Sequence, residues 1–252
     1  MPAAYDTYDY PSYWEGRDYE HGSEVIAIKG FLEKIPKISK ILEIGSGYGR
    51  LAPSYLFRAK RTILTDPSSV LLKLARENLQ DENIKFIHTG IENLPNKIRG
   101  KSVDVAILVR VLHHLDDADK AFTIIHKVLK DKGYFILEFA NKCHFKATLL
   151  EFLQGNFTFS LEIFPKDLRT KRSKKKGAIP FLNFHPDIIK KKLEDAGFYI
   201  VETRSVSNFR TSFLKNILPT SLLLSIEKFL QPILAKVNFG PSIFILVQKQ
   251  TN

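Results

Sequence analysis

Lys40-Ile-Leu-Glu-Ile-Gly-Ser-Gly-Tyr-Gly-Arg-Leu51 is the stretch on which the fold turns. Its first half, Ile41 to Ile44, reads as a buried strand with apolar side chains on both faces. Its second half is a glycine-rich turn, Gly45, Gly47 and Gly49, and a helix is expected from about Arg50 to Arg58. Glycine suits a backbone that turns tightly and lies close to a ligand, where a Cβ would clash. The free amides of a helix start can then hold a polar or negative group. The stretch therefore reads as a nucleotide-type cofactor loop at the carboxyl end of the first strand of an α/β sheet.

The glycine spacing narrows the cofactor. A dinucleotide fingerprint, Gly-x-Gly-x-x-Gly, would place glycine at 45, 47 and 50. Position 50 is Arg50 and the third glycine falls at 49, which disfavours a nicotinamide oxidoreductase. With Glu43 two residues before Gly45, the pattern is Glu-x-Gly-x-Gly-x-Gly. Here the chain resembles the class I S-adenosylmethionine-dependent methyltransferases. The resemblance implies that Glu43, Gly45, Gly47 and Gly49 serve S-adenosylmethionine, which carries no phosphate and needs no pyrophosphate cradle.

Arg61-Thr-Ile-Leu-Thr-Asp66 reads as a second strand ending in a carboxylate. An acid about twenty residues past the loop can accept hydrogen bonds from both ribose hydroxyls. Asp66 could instead cap the next helix, since Pro67, Ser68 and Ser69 follow, but the loop and the acid corroborate each other and favour ribose binding; the resembled family gives Asp66 and Pro67 to the cofactor. That helix should span Ser68–Leu79 with Val70, Leu71, Leu74 and Ala75 inward. Ile84–His88 is a third strand, followed by Thr89-Gly-Ile-Glu-Asn-Leu-Pro95. The family often has aspartate at position 90, touching the adenine amino group. Gly90 removes that contact, and the resemblance leaves Ile91 and Glu92 to replace it.

Val103–Val109 is a fourth buried strand, and Arg110-Val-Leu-His-His-Leu115 follows it. The run from Asp104 to Leu115 resembles the type-11, ubiquinone/menaquinone C-methyltransferase-like branch. That branch implies Val109 and Arg110 at the methionine end of the cofactor. His113 and His114 carry two readings, a general base near the transferred methyl or a packing pair. Asp116–Leu129 is an amphipathic helix with Lys132-Gly133 as its stop, and Tyr134–Phe139 is a fifth strand. Pro186–Ala196 is helical, Phe198–Ser205 is a sixth strand and Ser242–Gln248 a closing one.

Consecutive βα repeats predict a Rossmann-like, doubly wound α/β sheet. The resemblance predicts seven strands, mostly parallel with the last antiparallel beside the sixth, and helical insertions forming a cap. At 252 residues the chain suits one domain. Its parts are an N-terminal arm and helix (1–36), a cofactor core (37–140), a substrate-side insertion (141–185), a core helix and strand (186–206), an apolar helical insertion (207–240) and a closing strand (241–252). Val25–Ile35 has helical spacing and stops at Pro36. The aromatic arm supplies lid candidates Tyr13, Trp14, Arg17, Tyr19 and His21.

One cysteine, Cys143, excludes an internal disulfide and a Cys-rich zinc site and fits a reducing compartment. No metal is expected. No secretory signal is visible, and no run of about 18 apolar residues could span a membrane. These features predict a cytoplasmic protein. The formal charge of +11 points to acidic partners or surfaces. Basic residues from Lys166 to Lys176 could hold a carboxylate, a phosphate or a nucleic acid backbone, or form a solvated loop. The apolar stretch 208–240 could pack on the domain, cap a hydrophobic channel, dimerise or lie on a membrane surface.

The expected reaction is SN2 transfer of a methyl to a small-molecule, lipid-like acceptor. RNA or protein methylation through the basic loop is the alternative, and a non-catalytic cofactor-binding protein is a third. Nucleic acid is disfavoured by the absence of an Asn/Asp-Pro-Pro-Tyr motif and of an appended RNA-binding module. In-line positioning alone can supply much of the rate. Where a base is needed, the candidates are His114, His113, Tyr13 and His185, in that order.

Overall fold

The computed structural model describes Asp6, residues 9–169 and residues 181–251. Tyr5, Tyr8 and the basic run Lys171 to Lys176 lie outside the described residues. The strands are β1 (Lys40–Ile44), β2 (Arg61–Asp66), β3 (Ile84–His88), β4 (Val103–Leu108), β5 (Leu129–Ala140), β6 (Phe198–Val206) and β7 (Ser242–Lys249). The helices are α1 (Tyr10–Tyr13), α2 (Asp18–Leu32), α3 (Ser69–Asn78), α4 (Leu94–Lys97), α5 (Ala118–Val128), α6 (Phe145–Leu153), α7 (Pro186–Asp195), α8 (Ser212–Ile217) and α9 (Thr220–Ala235).

The strands form one sheet in the order β3-β2-β1-β4-β5-β7-β6. Pairing is parallel from β3 through β5. It is antiparallel where β7 inserts between β5 and β6. This is the seven-stranded, Rossmann-like α/β sheet expected. Leu42 and Ile44 face one apolar core with Phe122, Ile125 and Ile189. Ile41 faces the other, with Ala27, Ile28 and Phe31 of α2. Side chains alternate across a strand, so β1 needs apolar residues facing both ways.

Local chemistry overrides several sequence expectations. No α-helix follows the glycine turn; instead two 3-10 turns run over Ala52–Ser54 and Leu56–Arg58. Their bonds span three residues: Tyr55 N donates to Ala52 O at 3.0 Å and Arg58 N to Tyr55 O at 2.9 Å. Pro53 is the reason, since its ring and missing N–H prevent a helix running through from Arg50. A dipole-bearing helix start is therefore absent from the loop. Lys132-Gly133 is not a helix stop but a bend inside β5, where a Cβ on Gly133 would lie 2.8 Å from Lys130 O. In α3 it is Leu72, not Val70, that turns inward; Val70 is 47% exposed. Helix α2 begins seven residues before the apolar spacing suggests.

Helix α9 is inverted. Its buried stripe is Leu223, Glu227, Gln231 and Ala235, while Leu222, Phe229 and Ile233 are exposed. The Glu227 carboxylate accepts from Tyr19 Oη at 2.6 Å and Ser207 N at 2.8 Å. Gln231 Nε2 donates to Ser23 O at 2.9 Å. Hydrogen bonds to buried polar groups offset the cost of burying them, and these lock α9 onto α2, although Gln231 Oε1 has no partner among the described residues. Among the described residues, no helix is long and apolar enough to cross a membrane.

Candidate functional site

The glycine turn leaves β1 with three left-handed residues, φ +73° at Gly45, +55° at Gly47 and +78° at Gly49. A Cβ on Gly45 would meet Val111 Cγ2 at 2.3 Å, and one on Gly49 would meet Leu79 Cδ1 at 2.5 Å. At Gly47 the nearest atom is Tyr10 Cε1 at 3.5 Å. Gly45 and Gly49 are thus required by the protein's own packing. Gly47 lies under the aromatic arm. Gly45→Ala combines the clash with a strained φ and should cost about 2–3 kcal/mol by chemical denaturation. An unchanged denaturation midpoint would show that the turn can relax.

Asp66 is buried, 6% exposed, at the end of β2. Its Oδ2 accepts from Gly47 N and its Oδ1 from Ser68 N, both at 2.8 Å. The α3 cap is Ser68, whose Oγ accepts from Leu71 N at 3.2 Å. Asp66 therefore ties the glycine turn to the start of α3 and keeps lone pairs to spare. Burial pushes its carboxyl above the ordinary carboxylate range, against the pull of those two amides. Pro67 is the exposed residue between them. Glu43 points away into the core, where Tyr55 Oη donates to it. Burial raises its carboxyl to about 7.

The arm closes over an ion cluster. Glu24 of α2, fully buried, receives Arg50 Nη2 at 2.5 Å and Arg110 through Nε and Nη2, each at 2.6 Å. Burial pushes the Glu24 carboxyl up, but Arg110 and Arg50 together outweigh it and hold it below the ordinary value. Trp14 covers the cluster, with the Arg50 guanidinium 3.4 Å and the Arg110 guanidinium 4.8 Å from its ring. Of the lid candidates, Tyr13 stacks on Tyr10 and carries Arg17 at 4.1 Å. His21 Nδ1 lies 2.5 Å from Arg50. Tyr19 is buried against Glu227 instead.

At the end of β3, Gly90 is extended and Glu92 Oε2 sits 3.0 Å from where its Cβ would be. A neighbour's carboxylate thus occupies the space that an aspartate at 90 would use. The Ile91 and Val109 side chains belong to the two cores, so only their backbone is available to a ligand. Arg110 has φ +60°, and its N–H donates to Glu138 Oε2 at 2.7 Å.

Beyond Arg110 opens a cavity of about 610 Å³ over the carboxyl ends of β4 and β5, with α6, Arg169, Phe181 and Arg210 in its walls. His113 lines it, 4% exposed, and its Nδ1 has no partner. Burial first, then the neighbouring His114, hold that ring well below the ordinary imidazole range, so it is neutral. His114 packs edge-on at 4.0 Å. His185 lies elsewhere: its Nδ1 accepts from Asp187 N at 3.2 Å, capping α7, and its Nε2 lies 3.0 Å from Ser160 O. Both of its nitrogens are engaged. Among the described residues, no group of three His, Cys, Asp or Glu could hold a metal ion.

The sequence reading missed Glu24, Glu138, Lys146 and Arg210. Glu24 had a signal: it stands four residues before Ile28 on the stripe that buries α2. The others are assembled only by the sheet topology.

Residues 42–137 match the family described as Methyltransferase domain. The chain carries a methyltransferase domain. Over 95 residues it is 30% identical to the demethylmenaquinone methyltransferase of Chlamydia pneumoniae, covering 37% of this chain and 40% of that protein. Over 178 residues it is 25% identical to the tRNA 5-carboxymethoxyuridine methyltransferase of Escherichia coli O157:H7, covering 69% of this chain and 65% of that protein. It thus spans less than two thirds of either relative. A chain of the solved complex between the Haloferax volcanii Trm112 methyltransferase activator and its candidate methyltransferase superposes with a TM-score of 0.65. That match covers 98% of this chain and 97% of the other at 14% identity, and shows the fold of the methyltransferase domain.

Proposed function

We propose that this chain transfers a methyl group from S-adenosylmethionine to a small-molecule acceptor held in the cavity beside Arg110 and His113. The observation that carries this is continuity: the glycine turn, Asp66, Gly90–Glu92 and Arg110 follow one another along the carboxyl ends of β1 to β4, and the cavity begins at Arg110. The residues fit the cofactor. Asp66 has acceptor capacity for ribose hydroxyls, and Glu92 offers a carboxylate at the adenine end. Beside the turn, the buried Ser46 Oγ has no partner among the described residues and suits a polar ligand. When bound, S-adenosylmethionine supplies an electrophilic methyl on a sulfonium.

The protein's own part is to position. Neutral His113 is too weak a base to strip a proton efficiently, but its Nδ1 can exchange a hydrogen bond with the acceptor and aim it. Trp14 and the arm exclude water above the ion cluster. His114 acts through its packing on His113, and Tyr13 belongs to the arm, stacked on Tyr10.

Calorimetric titration tests the cofactor assignment. Wild type should bind S-adenosylhomocysteine, and Asp66→Ala should weaken that binding by about tenfold or more, the loss of a charge-assisted hydrogen bond. Wild type that binds neither S-adenosylmethionine nor S-adenosylhomocysteine would overturn the reading. RNA as the acceptor is the second reading, favoured by the tRNA-modifying relative; it requires RNA binding that falls steeply with salt.

A further inference from the structure

Among the described residues, most charges around the cavity have an ionic partner, and two cations do not. Arg110 shares the Glu24 carboxylate with Arg50 and also faces Glu138. Arg169 is matched by Asp167 at 2.9 Å, and Glu151 by Lys166 at 3.1 Å. Glu138 spends its oxygens on Arg110 N and the Ser242 hydroxyl. Arg210, between β6 and α8, and Lys146, in the first turn of α6, also line the cavity. Among the described residues, neither forms an ion pair or a side-chain hydrogen bond.

The two cations act on one place. His144, also in the wall, is pushed down to about 4 by burial and then by Arg210 and Lys146. Its Nδ1 is spent on Ala147 N, so it cannot neutralise either. Arg210 opens onto solvent through the cavity, yet enough protein surrounds it that burial, and next Arg110, lower its guanidinium. Both side chains are exposed to the cavity and to solvent, so their charges are open to an incoming anion. The fully buried, unpartnered His113 Nδ1 in the same wall also calls for a ligand. Leu150, Leu168 and Phe181 give the cavity an apolar side. Its volume is that of a small-molecule site, about 300–1,000 Å³.

We infer that the acceptor is an organic anion, its carboxylate or phosphate held by Arg210 and Lys146 and its apolar body lying against Leu150 and Phe181. This rests on the methyltransferase reading for the word acceptor, but the anion site is testable without it.

Calorimetry with octanoate, octyl phosphate and octanol, on protein saturated with S-adenosylhomocysteine, decides the matter. At least one anion should bind about tenfold or more tightly than octanol, and Arg210→Gln and Lys146→Gln should each remove most of that preference. Among the described residues neither side chain is bonded to the protein, so both variants should keep the wild-type unfolding temperature and S-adenosylhomocysteine affinity. The tighter of the two anions identifies the headgroup. Equal affinity for octanol and both anions, or a preference that survives both substitutions, would overturn the inference. Loss of S-adenosylhomocysteine binding by the wild type, with anion preference intact, would instead overturn the methyltransferase reading alone.

Discussion

Glu24→Gln is expected to lower the unfolding temperature by about 10 °C. The reasoning is electrostatic. Wild-type Glu24 is wholly buried and compensates two guanidiniums, Arg50 and Arg110, at 2.5 and 2.6 Å. Glutamine keeps the shape and one acceptor oxygen but removes the charge, leaving two like charges together under Trp14. Breaking a buried ion pair by removing one partner costs about 3–5 kcal/mol. In a domain of this size each kcal/mol lowers the midpoint by about 2–4 °C. Exposed pairs behave otherwise: Lys101→Ala, which removes the partner of Asp131 on the surface, should change stability by less than about 1 kcal/mol. If differential scanning calorimetry gives the two variants the same midpoint, the Glu24 cluster is not what fixes the arm and the loop.

Glu43→Gln should do the opposite, by an amount that grows as pH rises from about 4.5 to about 7. The Glu43 carboxyl is raised by burial from 4.5 to about 7, despite the hydrogen bond from Tyr55. Folded protein therefore holds a proton that the unfolded chain has lost between those two values. Where the native state binds more protons, stability falls as pH rises. The loss begins near pH 4.5, is complete somewhat above 7, and amounts to about 3 kcal/mol. Glutamine mimics the protonated acid and still accepts from Tyr55. The variant and wild type should unfold together at pH 4, and the variant should unfold several degrees higher at pH 8. Parallel curves from pH 4 to 8 would mean that Glu43 ionises in the fold at its ordinary value.

The sheet was legible because its physics is local. Buried parallel strands are short apolar runs, and Gly45, Gly47 and Gly49 mark a turn whose backbone few other residues can follow. Asp66 was legible because it closes β2 at a fixed distance from that turn. The 3-10 turns after the loop run against the helix expected there, although Pro53 lacks the N–H that such a helix needs. Gly133 was misread because a glycine after a helix and a glycine inside a strand look alike until the strand's partner is known. The inverted α9 could not be read at all. Its buried face is polar because Tyr19, Ser23 and Ser207 happen to meet it, and those partners are far away in the chain. The same holds for the acceptor cavity, whose walls come from five separate segments.

One ring in the arm has a use beyond packing. Trp14 is the only tryptophan among the 252 residues. It lies against two guanidiniums and is 8% exposed. Tryptophan emission, excited to the red of tyrosine absorption, therefore originates at a single point, beside the glycine turn and on the segment that covers it. The chain carries its own optical reporter of that segment, and no label has to be introduced to follow the arm opening or closing in solution.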